Sequence, residues 1–115
     1  MDKIKVSCEM EVTLKVIGGK YKPLILYILI DNGPKRFTEL KREMPQISQK
    51  TLTNQLKELQ KDQLVSRHVF PEVPPKVEYA ISEKGKTLWT LLELMCDWGE
   101  HHLDEKFELT NPQCS

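Results

Sequence analysis

Apolar and polar positions along the first third of the chain predict two helices. The first apolar stretch ends at Ile17, where Gly18 and Gly19 follow, as glycines commonly do at a helix C-terminus. In the next stretch residues 24–30 are all aliphatic or aromatic, and Pro23 suits the first turn of a helix. A helix that is apolar on nearly every side is a buried one. The pattern therefore predicts a helix over about 8–17 and a buried helix after it.

The next polar and apolar positions predict two more helices joined by a tight turn. Thr38 is a candidate N-cap for a short helix that runs to Met44 and stops at Pro45. Ser48 is a good N-cap for a longer helix that reaches about Asp62. That helix has a narrow apolar stripe at spacings of four and three, formed by Leu52, Leu56 and Leu59. All its other positions are polar, so we expect one face to be buried and the rest exposed.

After residue 63 the apolar period changes from helical to alternating, which predicts strands over about 64–70 and 77–81. The prolines between them, Pro71, Pro74 and Pro75, suit a stiff hairpin tip. Ser82 is then expected to cap a long helix of about two dozen residues, extending to about residue 107. The fold class predicted by this order is mainly α with a small β-hairpin wing, a winged helix-turn-helix.

Length and composition fit a single domain over residues 1–115, with a core of about 8–107. The chain is 39% hydrophobic and 30% charged, which is typical of a folded soluble protein. No apolar run approaches the ~20 residues that span a bilayer, and the start lacks a signal-peptide pattern. We therefore expect a cytoplasmic protein with no membrane partner. The three cysteines, Cys8, Cys96 and Cys114, match neither a disulfide framework nor a zinc spacing, so reduced thiols are expected.

Charge is unevenly distributed in a chain whose formal net charge is zero. Residues 35–57 carry six basic and two acidic side chains, a net charge of +4. Residues 83–115 carry three basic and seven acidic side chains, a net charge of −4. The positive charge therefore lies on the predicted helix-turn-helix, where it would contact phosphates.

The helix that begins after Ser48 is the candidate recognition helix, because side chains that both donate and accept hydrogen bonds can distinguish base edges in a major groove. The alternative is an ordinary solvent-exposed face. Lys35 and Arg36 precede the helix-turn-helix, and Arg67 and Lys76 flank the hairpin tip as wing contacts. The residues predicted to contact double-stranded DNA are Lys35, Arg36, Ser48, Gln49, Lys50, Thr51, Thr53, Asn54, Gln55, Lys57, Arg67 and Lys76.

The last helix carries more apolar surface, including Trp89 and Trp98, than so small a domain easily buries. We therefore predict a homodimer, formed by residues 8–17 and 82–107; the alternative is packing wholly within one chain. A two-fold dimer would present its recognition helices ~34 Å apart, so its DNA operator is expected to be roughly palindromic.

Candidate chemistry is sparse. Cys8 lies near Lys3 and Lys5 at a predicted helix start, surroundings that favour a reactive thiolate, although an inert exposed thiol is the alternative. Asp97 and His101 have a spacing of four that could place both on one metal ion if a partner helix supplied more ligands. No nucleophile–base pair or phosphate-binding loop is present. We predict no catalytic residue, no metal ligand and no cofactor, and hence no enzyme.

Several motifs of this chain resemble those of the HxlR-type bacterial winged-helix regulators, over roughly residues 8–102. The longest of them runs through Pro74 and Pro75 to Tyr79, and Trp98-Gly99 lies near the end. The matching motifs are Ile17-Gly-Gly-Lys-Tyr-Lys22, Gly33-Pro-Lys-Arg-Phe-Thr-Glu-Leu40, Ile47-Ser-Gln-Lys-Thr-Leu-Thr53, Gln55-Leu-Lys-Glu-Leu59 and Pro71-Glu-Val-Pro-Pro-Lys-Val-Glu-Tyr79.

The resemblance implies a homodimeric, sequence-specific DNA-binding transcription factor that dimerises through its first and last helices. Its recognition helix would correspond to residues 48–60 and its wing to residues 67–79. Some members of the family sense quinones, aldehydes or oxidants through a cysteine near the N-terminus, and Cys8 occupies that place. The proline that usually follows this cysteine is Glu9 here. The alternative from another class is a winged-helix protein–protein interaction module without DNA readout.

Overall fold

The computed structural model describes residues 2–114 and confirms the predicted order of four helices, a hairpin and a helical C-terminal region. The elements are α1 Glu9–Ile17, α2 Lys22–Asn32, α3 Phe37–Glu43, α4 Gln49–Lys61, β1 Val65–Phe70, β2 Lys76–Ile81, α5 Glu83–Lys86 and α6 Trp89–His101. This arrangement is the predicted winged helix-turn-helix. Within residues 2–114 no helix is both long enough and apolar enough to cross a membrane.

Helix α2 is the centre of the core, as its unbroken apolar run predicts. Ile25, Leu26 and Ile28 are fully buried, and Pro23 lies in the first turn of the helix. The inward side of α4 packs against the same core through Leu52, Leu56 and Leu59. Burial of one side of α4 against the core leaves its opposite side facing outward.

Helix α3 begins earlier than the sequence pattern predicts. Arg36, and not Thr38, is the residue that precedes its first turn. The backbone N–H of Arg36 donates to Glu39 Oε1 at 2.8 Å, so the carboxylate of Glu39 satisfies one backbone donor at the start of α3. This hydrogen bond is the main reason that the pKa of Glu39 lies below its ordinary value of 4.5.

Glu39→Ala is expected to lower the thermal stability of the chain at neutral pH. Because the pKa of Glu39 is lowered on folding, its contribution is fully present above pH 4.5 and is lost as the pH falls through the lowered value. The difference in melting temperature between the wild type and Glu39→Ala should therefore shrink on acidification. Glu39→Gln, which keeps an oxygen acceptor, is the control. A difference that stays constant from pH 7 to acid would contradict this role.

The wing is an antiparallel pair in which Arg67 lies opposite Tyr79 and Phe70 lies opposite Lys76. The three prolines lie in the exposed connection 71–75, as predicted. Lys35 forms an isolated antiparallel β-bridge with Tyr79 of β2. Its N–H donates to Tyr79 O at 2.9 Å, and its carbonyl accepts from Tyr79 N at 2.8 Å. The segment before α3 is thereby fixed to the wing.

The prediction of one long helix after Ser82 is wrong. Ser82 does cap a helix, since its Oγ accepts from Gly85 N at 2.9 Å, but α5 ends at Lys86 and α6 begins at Trp89. Between the two helices the backbone forms a tight turn with hydrogen bonds three residues apart. The N–H of Thr87 donates to Lys84 O, and the N–H of Leu88 donates to Gly85 O. Gly85 is buried against the Leu64 carbonyl, where a Cβ atom would collide. Gly85 thus packs closely beside the start and end of the wing, and residues 102–107 lie beyond α6.

The expectation of three reduced thiols is also wrong, because Cys96 and Cys114 form a disulfide. The chain turns back after α6, so residues separated by 18 positions bring their Cα atoms to 5.9 Å, within the usual range for a disulfide. Spacing in the sequence gives no sign of this return. Cys8 is free and exposed.

Candidate DNA interface

The N-terminus of α4 is capped as predicted, and the cap uses some of the hydroxyls expected to contact bases. Ser48 Oγ accepts from the Thr51 N–H at 3.1 Å and donates to Thr51 Oγ1 at 2.9 Å. Thr53 Oγ1 donates to the Gln49 carbonyl at 2.8 Å. These three hydroxyls are therefore engaged within the helix. The Ser48 cap stabilises its N-terminus, whereas the Thr53 bond occupies a hydroxyl without stabilising the helix.

The outward side of α4 carries a continuous polar row. Lys50, Asn54 and Lys57 are all exposed and follow one another at spacings of four and three, so they lie on one side of the helix. We call these three residues the α4 stripe. Gln49 is also exposed and lies beside it, at the start of the helix. The stripe presents ammonium and amide groups to the surroundings in the first three turns of α4.

Gln55 has a different environment from the α4 stripe. Its Nε2 donates to Glu58 Oε2 at 3.2 Å, and the same oxygen lies 3.6 Å from Lys22 Nζ. The Lys22 residue is only 6% exposed, at the start of α2. Sequence reasoning missed this pair, since Lys22 and Glu58 are far apart in the chain and only the packing of α4 near α2 brings them together. Gln55 thus bonds within α4 to Glu58, whose carboxylate is the group that pairs with Lys22 of α2.

Lys35 and Arg36 are neighbours in sequence but differ in their surroundings. Lys35 is half-buried and its Nζ lies 3.7 Å from Glu43 Oε1 at the end of α3. Arg36 is exposed at the start of α3. The structure therefore leaves the guanidinium of Arg36 available at the surface, whereas the Lys35 ammonium balances a carboxylate within the helix-turn-helix.

Arg67 and Lys76 lie on opposite faces of the wing. Arg67 lies opposite Tyr79, and Lys76 lies opposite Phe70. Phe70 is three positions after Arg67 in β1, and side chains alternate between the two faces along a strand, so Arg67 and Lys76 point to opposite faces. Lys76 Nζ lies 3.5 Å from Glu78 Oε2 and 5.0 Å from the centre of the Phe70 ring. Arg67 is exposed. The side chains of Arg67 and Lys76 therefore cannot both contact DNA from the same face of the hairpin.

Helices α1 and α6 expose apolar pairs at helical spacing. On α1 these are Met10 and Leu14; on α6 they are Leu94, which is 57% exposed, and Trp98, which is 67% exposed. Each pair is four residues apart and so lies on one side of its helix. Trp89 is different, since it is half-buried with its ring 5.0 Å from that of Tyr27. Of the two tryptophans predicted at a dimer interface, only Trp98 is thus exposed in the single chain.

In the part of the chain that the structure describes, Asp97 and His101 do not form the metal site that their spacing allows. His101 Nδ1 lies 2.7 Å from the Asp97 backbone oxygen, to which it donates, and not from the Asp97 carboxylate. Across residues 2–114 no group of three or more His, Cys, Asp or Glu side chains is arranged as metal ligands would be. The structure thus offers no observation that favours this alternative.

Comparison with known proteins decides the family. Residues 16–107 match the HxlR-like helix-turn-helix family, which covers the helix-turn-helix, the wing and α6. The chain belongs to this family. It is a helix-turn-helix transcriptional regulator of the HxlR type, and the family resemblance read from the sequence motifs is confirmed.

Relatives of known sequence or structure agree with this assignment. The chain is 50% identical over 103 residues to YkvN, an HTH-type transcriptional regulator of Bacillus subtilis (strain 168), covering 90% of this chain and 86% of YkvN. The redox regulator HypR in its oxidised form has a TM-score of 0.80 and 49% identity, covering 84% of this chain and 99% of HypR. The reduced form of the transcriptional regulator YodB from B. subtilis has a TM-score of 0.74 and 38% identity, covering 90% of this chain and 100% of YodB. These relatives give no support to the alternative of a protein-interaction module.

Proposed function

We propose that this regulator binds a roughly palindromic operator in double-stranded DNA as a homodimer. Helix α4 enters the major groove and the wing contacts the backbone or the minor groove. The observation that carries the proposal is the exposed α4 stripe, which lies in the segment of net charge +4. Since its target is DNA, we propose that it acts in the cytoplasm, and we assign it no catalytic step.

The chemistry of the α4 stripe suits direct base readout. An asparagine amide can donate to and accept from adenine at the same time, which makes Asn54 the candidate for reading an A·T pair. A lysine ammonium donates to the acceptors of guanine, a role available to Lys50 near the helix N-terminus. Lys57, further along the stripe, suits a phosphate. Gln49 is placed to reach a base beside Lys50. The other predicted α4 residues use their side chains in hydrogen bonds within the helix, namely Ser48, Thr51, Thr53 and Gln55.

The homodimer is proposed from the exposed apolar pairs on α1 and α6. Each copy has two exposed apolar surfaces, one in each of the two regions predicted to dimerise. The first is formed by Met10 and Leu14 on α1, and the second by Leu94 and Trp98 on α6. Apolar surface of this kind is commonly covered by a partner, and a two-fold axis uses the same surface on both copies. Such a dimer would place two α4 helices about one turn of duplex apart.

The proposal is tested by selecting fragments of genomic DNA that the purified protein retains, with and without oxidant. We expect a shared motif with two inverted half-sites whose centres are about 10–10.5 base pairs apart or a multiple of this. Retention on heparin with elution at high salt is the rapid companion assay. Failure to enrich any motif, together with passage through heparin at low salt, would favour a protein partner instead.

Arg36→Ala is expected to weaken binding to all DNA sequences alike. Its exposed guanidinium suits a phosphate contact, so the slope of log Kd against log salt should fall by about 0.9 for each phosphate that is no longer neutralised. Lys35→Ala should instead lower the melting temperature and change the salt slope little, because its ammonium faces Glu43. Lys106→Ala, an exposed lysine outside the helix-turn-helix, is the control. Equal salt slopes for the wild type and Arg36→Ala would refute the phosphate contact.

A redox or electrophile response through Cys8 is a second proposal. Cys8 is exposed at the start of α1, in the region proposed to dimerise, so its modification would add bulk or a cross-link there. It is supported by the relatives HypR, described as a redox regulator, and YodB, described in a reduced form. Wild-type protein is expected to lose operator binding after diamide or quinone treatment, and Cys8→Ser is expected to retain it. Equal loss in both proteins would assign the response to another residue.

A further inference from the structure

The C-terminal tail, which we define as residues 103–114, folds back along the domain after α6. Its last described residue, Cys114, is joined to Cys96 in the second turn of α6. Cys96 is half-buried and packs against the core, whereas Cys114 is exposed. The disulfide therefore fixes an exposed segment to the body of the domain at a point that a solvent-borne thiol can reach.

Two tail side chains contact the helix-turn-helix at a position that requires partners. Asn111 Nδ2 donates to the Glu43 carbonyl at 2.8 Å, and Gln113 Nε2 donates to the same oxygen at 3.0 Å. Glu43 is the last residue of α3, and the last carbonyls of a helix lack partners within it. Both donors are half-buried and lie close to Cys114 in the chain. The tail thus caps the C-terminus of α3 at the start of the turn that leads to α4.

We propose that Cys96 and Cys114 are a reversible dithiol–disulfide site whose oxidised form fixes the tail as the cap of α3. This site lies within one chain and is distinct from Cys8. It links the redox state of α6 and the tail to the turn between α3 and α4, residues 44–48. The inference goes beyond DNA binding and does not require it.

The oxidant is a low-molecular-weight disulfide. The thiolate of Cys114, the exposed partner, attacks one sulfur of this molecule, forms a mixed disulfide and releases one small thiol. The thiolate of Cys96 then attacks the Cys114 sulfur, forms the Cys96–Cys114 bond and releases the second small thiol. Overall, two protein thiols become one disulfide while one small disulfide becomes two thiols, so electrons and protons balance. Excess small thiol reverses both steps.

Oxidation should change the local stability of the α3–α4 turn. With the bond intact, Asn111 and Gln113 stay near Glu43 because Cys114 cannot leave α6. Without it, the tail is tethered covalently only at its start, beyond the end of α6, and water competes for the Glu43 carbonyl. Backbone amides in the turn, such as Met44 N and Ile47 N, whose hydrogen bonds lie beside this cap, report the difference.

The test compares hydrogen exchange of full-length reduced protein with that of protein oxidised by glutathione disulfide, each then alkylated and mapped by mass spectrometry. We expect an intrachain Cys96–Cys114 cross-link and exchange over residues 44–48 that is about tenfold slower in the oxidised protein, given two retained hydrogen bonds. Cys8→Ser should behave in the same way. Cys114→Ser should show the fast exchange under both conditions.

A second variant separates the tail hydrogen bonds from the covalent bond. Asn111→Ala combined with Gln113→Ala should still form the disulfide but should lose the slow exchange. The proposal is overturned if no Cys96–Cys114 bond forms, if the bond joins two chains, or if exchange over residues 44–48 is the same in both redox states. None of these readouts involves DNA, so failure here leaves the proposed operator binding intact, and loss of operator binding would leave this site intact.

Discussion

Lys50→Ala is expected to weaken binding to the operator about tenfold to a hundredfold, because removal of one base-reading side chain costs ~1–3 kcal/mol. Lys50 is exposed in the first turn of α4, and its side chain is not part of the core. Its removal should therefore leave the melting temperature and the oligomeric state unchanged. Fluorescence anisotropy with the selected operator and with a scrambled duplex would measure the effect.

Lys61→Ala provides a matched control, because Lys61 is exposed at the opposite end of the same helix. This variant should bind the operator within a few-fold of the wild type. If Lys50→Ala and Lys61→Ala bound equally well, the N-terminal turns of α4 would not be the reading surface. A comparable loss of affinity for operator and scrambled DNA would indicate that Lys50 contacts phosphate and not a base.

Leu94→Asp is expected to convert the dimer to a monomer and to reduce operator affinity about a hundredfold or more, because the two half-sites are then bound independently. Leu94 is exposed on α6 in the same row as Trp98, where a buried carboxylate would have no partner in an apolar interface. Folding of each chain should persist, because the side chain lies outside the core. Sedimentation velocity would give the mass, and operator titration the affinity.

Val73→Asp is the control for the mass measurement, since it places the same charge on an exposed apolar residue of the wing tip. It should remain dimeric. A Leu94→Asp protein that stays dimeric would move the interface away from this side of α6. A monomeric wild type that binds the operator with full affinity would remove the dimer from the proposed function.

Local signals account for most of what the sequence predicts correctly. Ser48 is expected as the N-cap of α4, and its hydroxyl does accept from Thr51 N. The glycines after Ile17 do end α1, and the all-apolar α2 is buried. Capping, glycine placement and apolar period act over a few residues, so one short stretch of sequence contains all the information that they need.

Distant contacts account for what the sequence pattern does not predict. In α5, Gly85 lies against the Leu64 carbonyl, at a position where a Cβ atom would not fit. The different surroundings of Lys35 and Arg36 depend on Glu43 and on the bridge to Tyr79. These partners come from other elements, and no periodicity within one element encodes them. The same holds for the ion pair of Lys22 with Glu58, which exists only because α4 packs near α2.

The sequence by itself determined the family, the order of helices and strands, and the polar row on α4, because these follow from motifs and short-range periodicity. Only the tertiary structure decided which polar side chains stay free at the surface and which are bound within the chain. It also joined Cys96 to Cys114 and placed the tail on α3. Such pairings depend on where the chain returns in space, and that is set by packing of the whole domain.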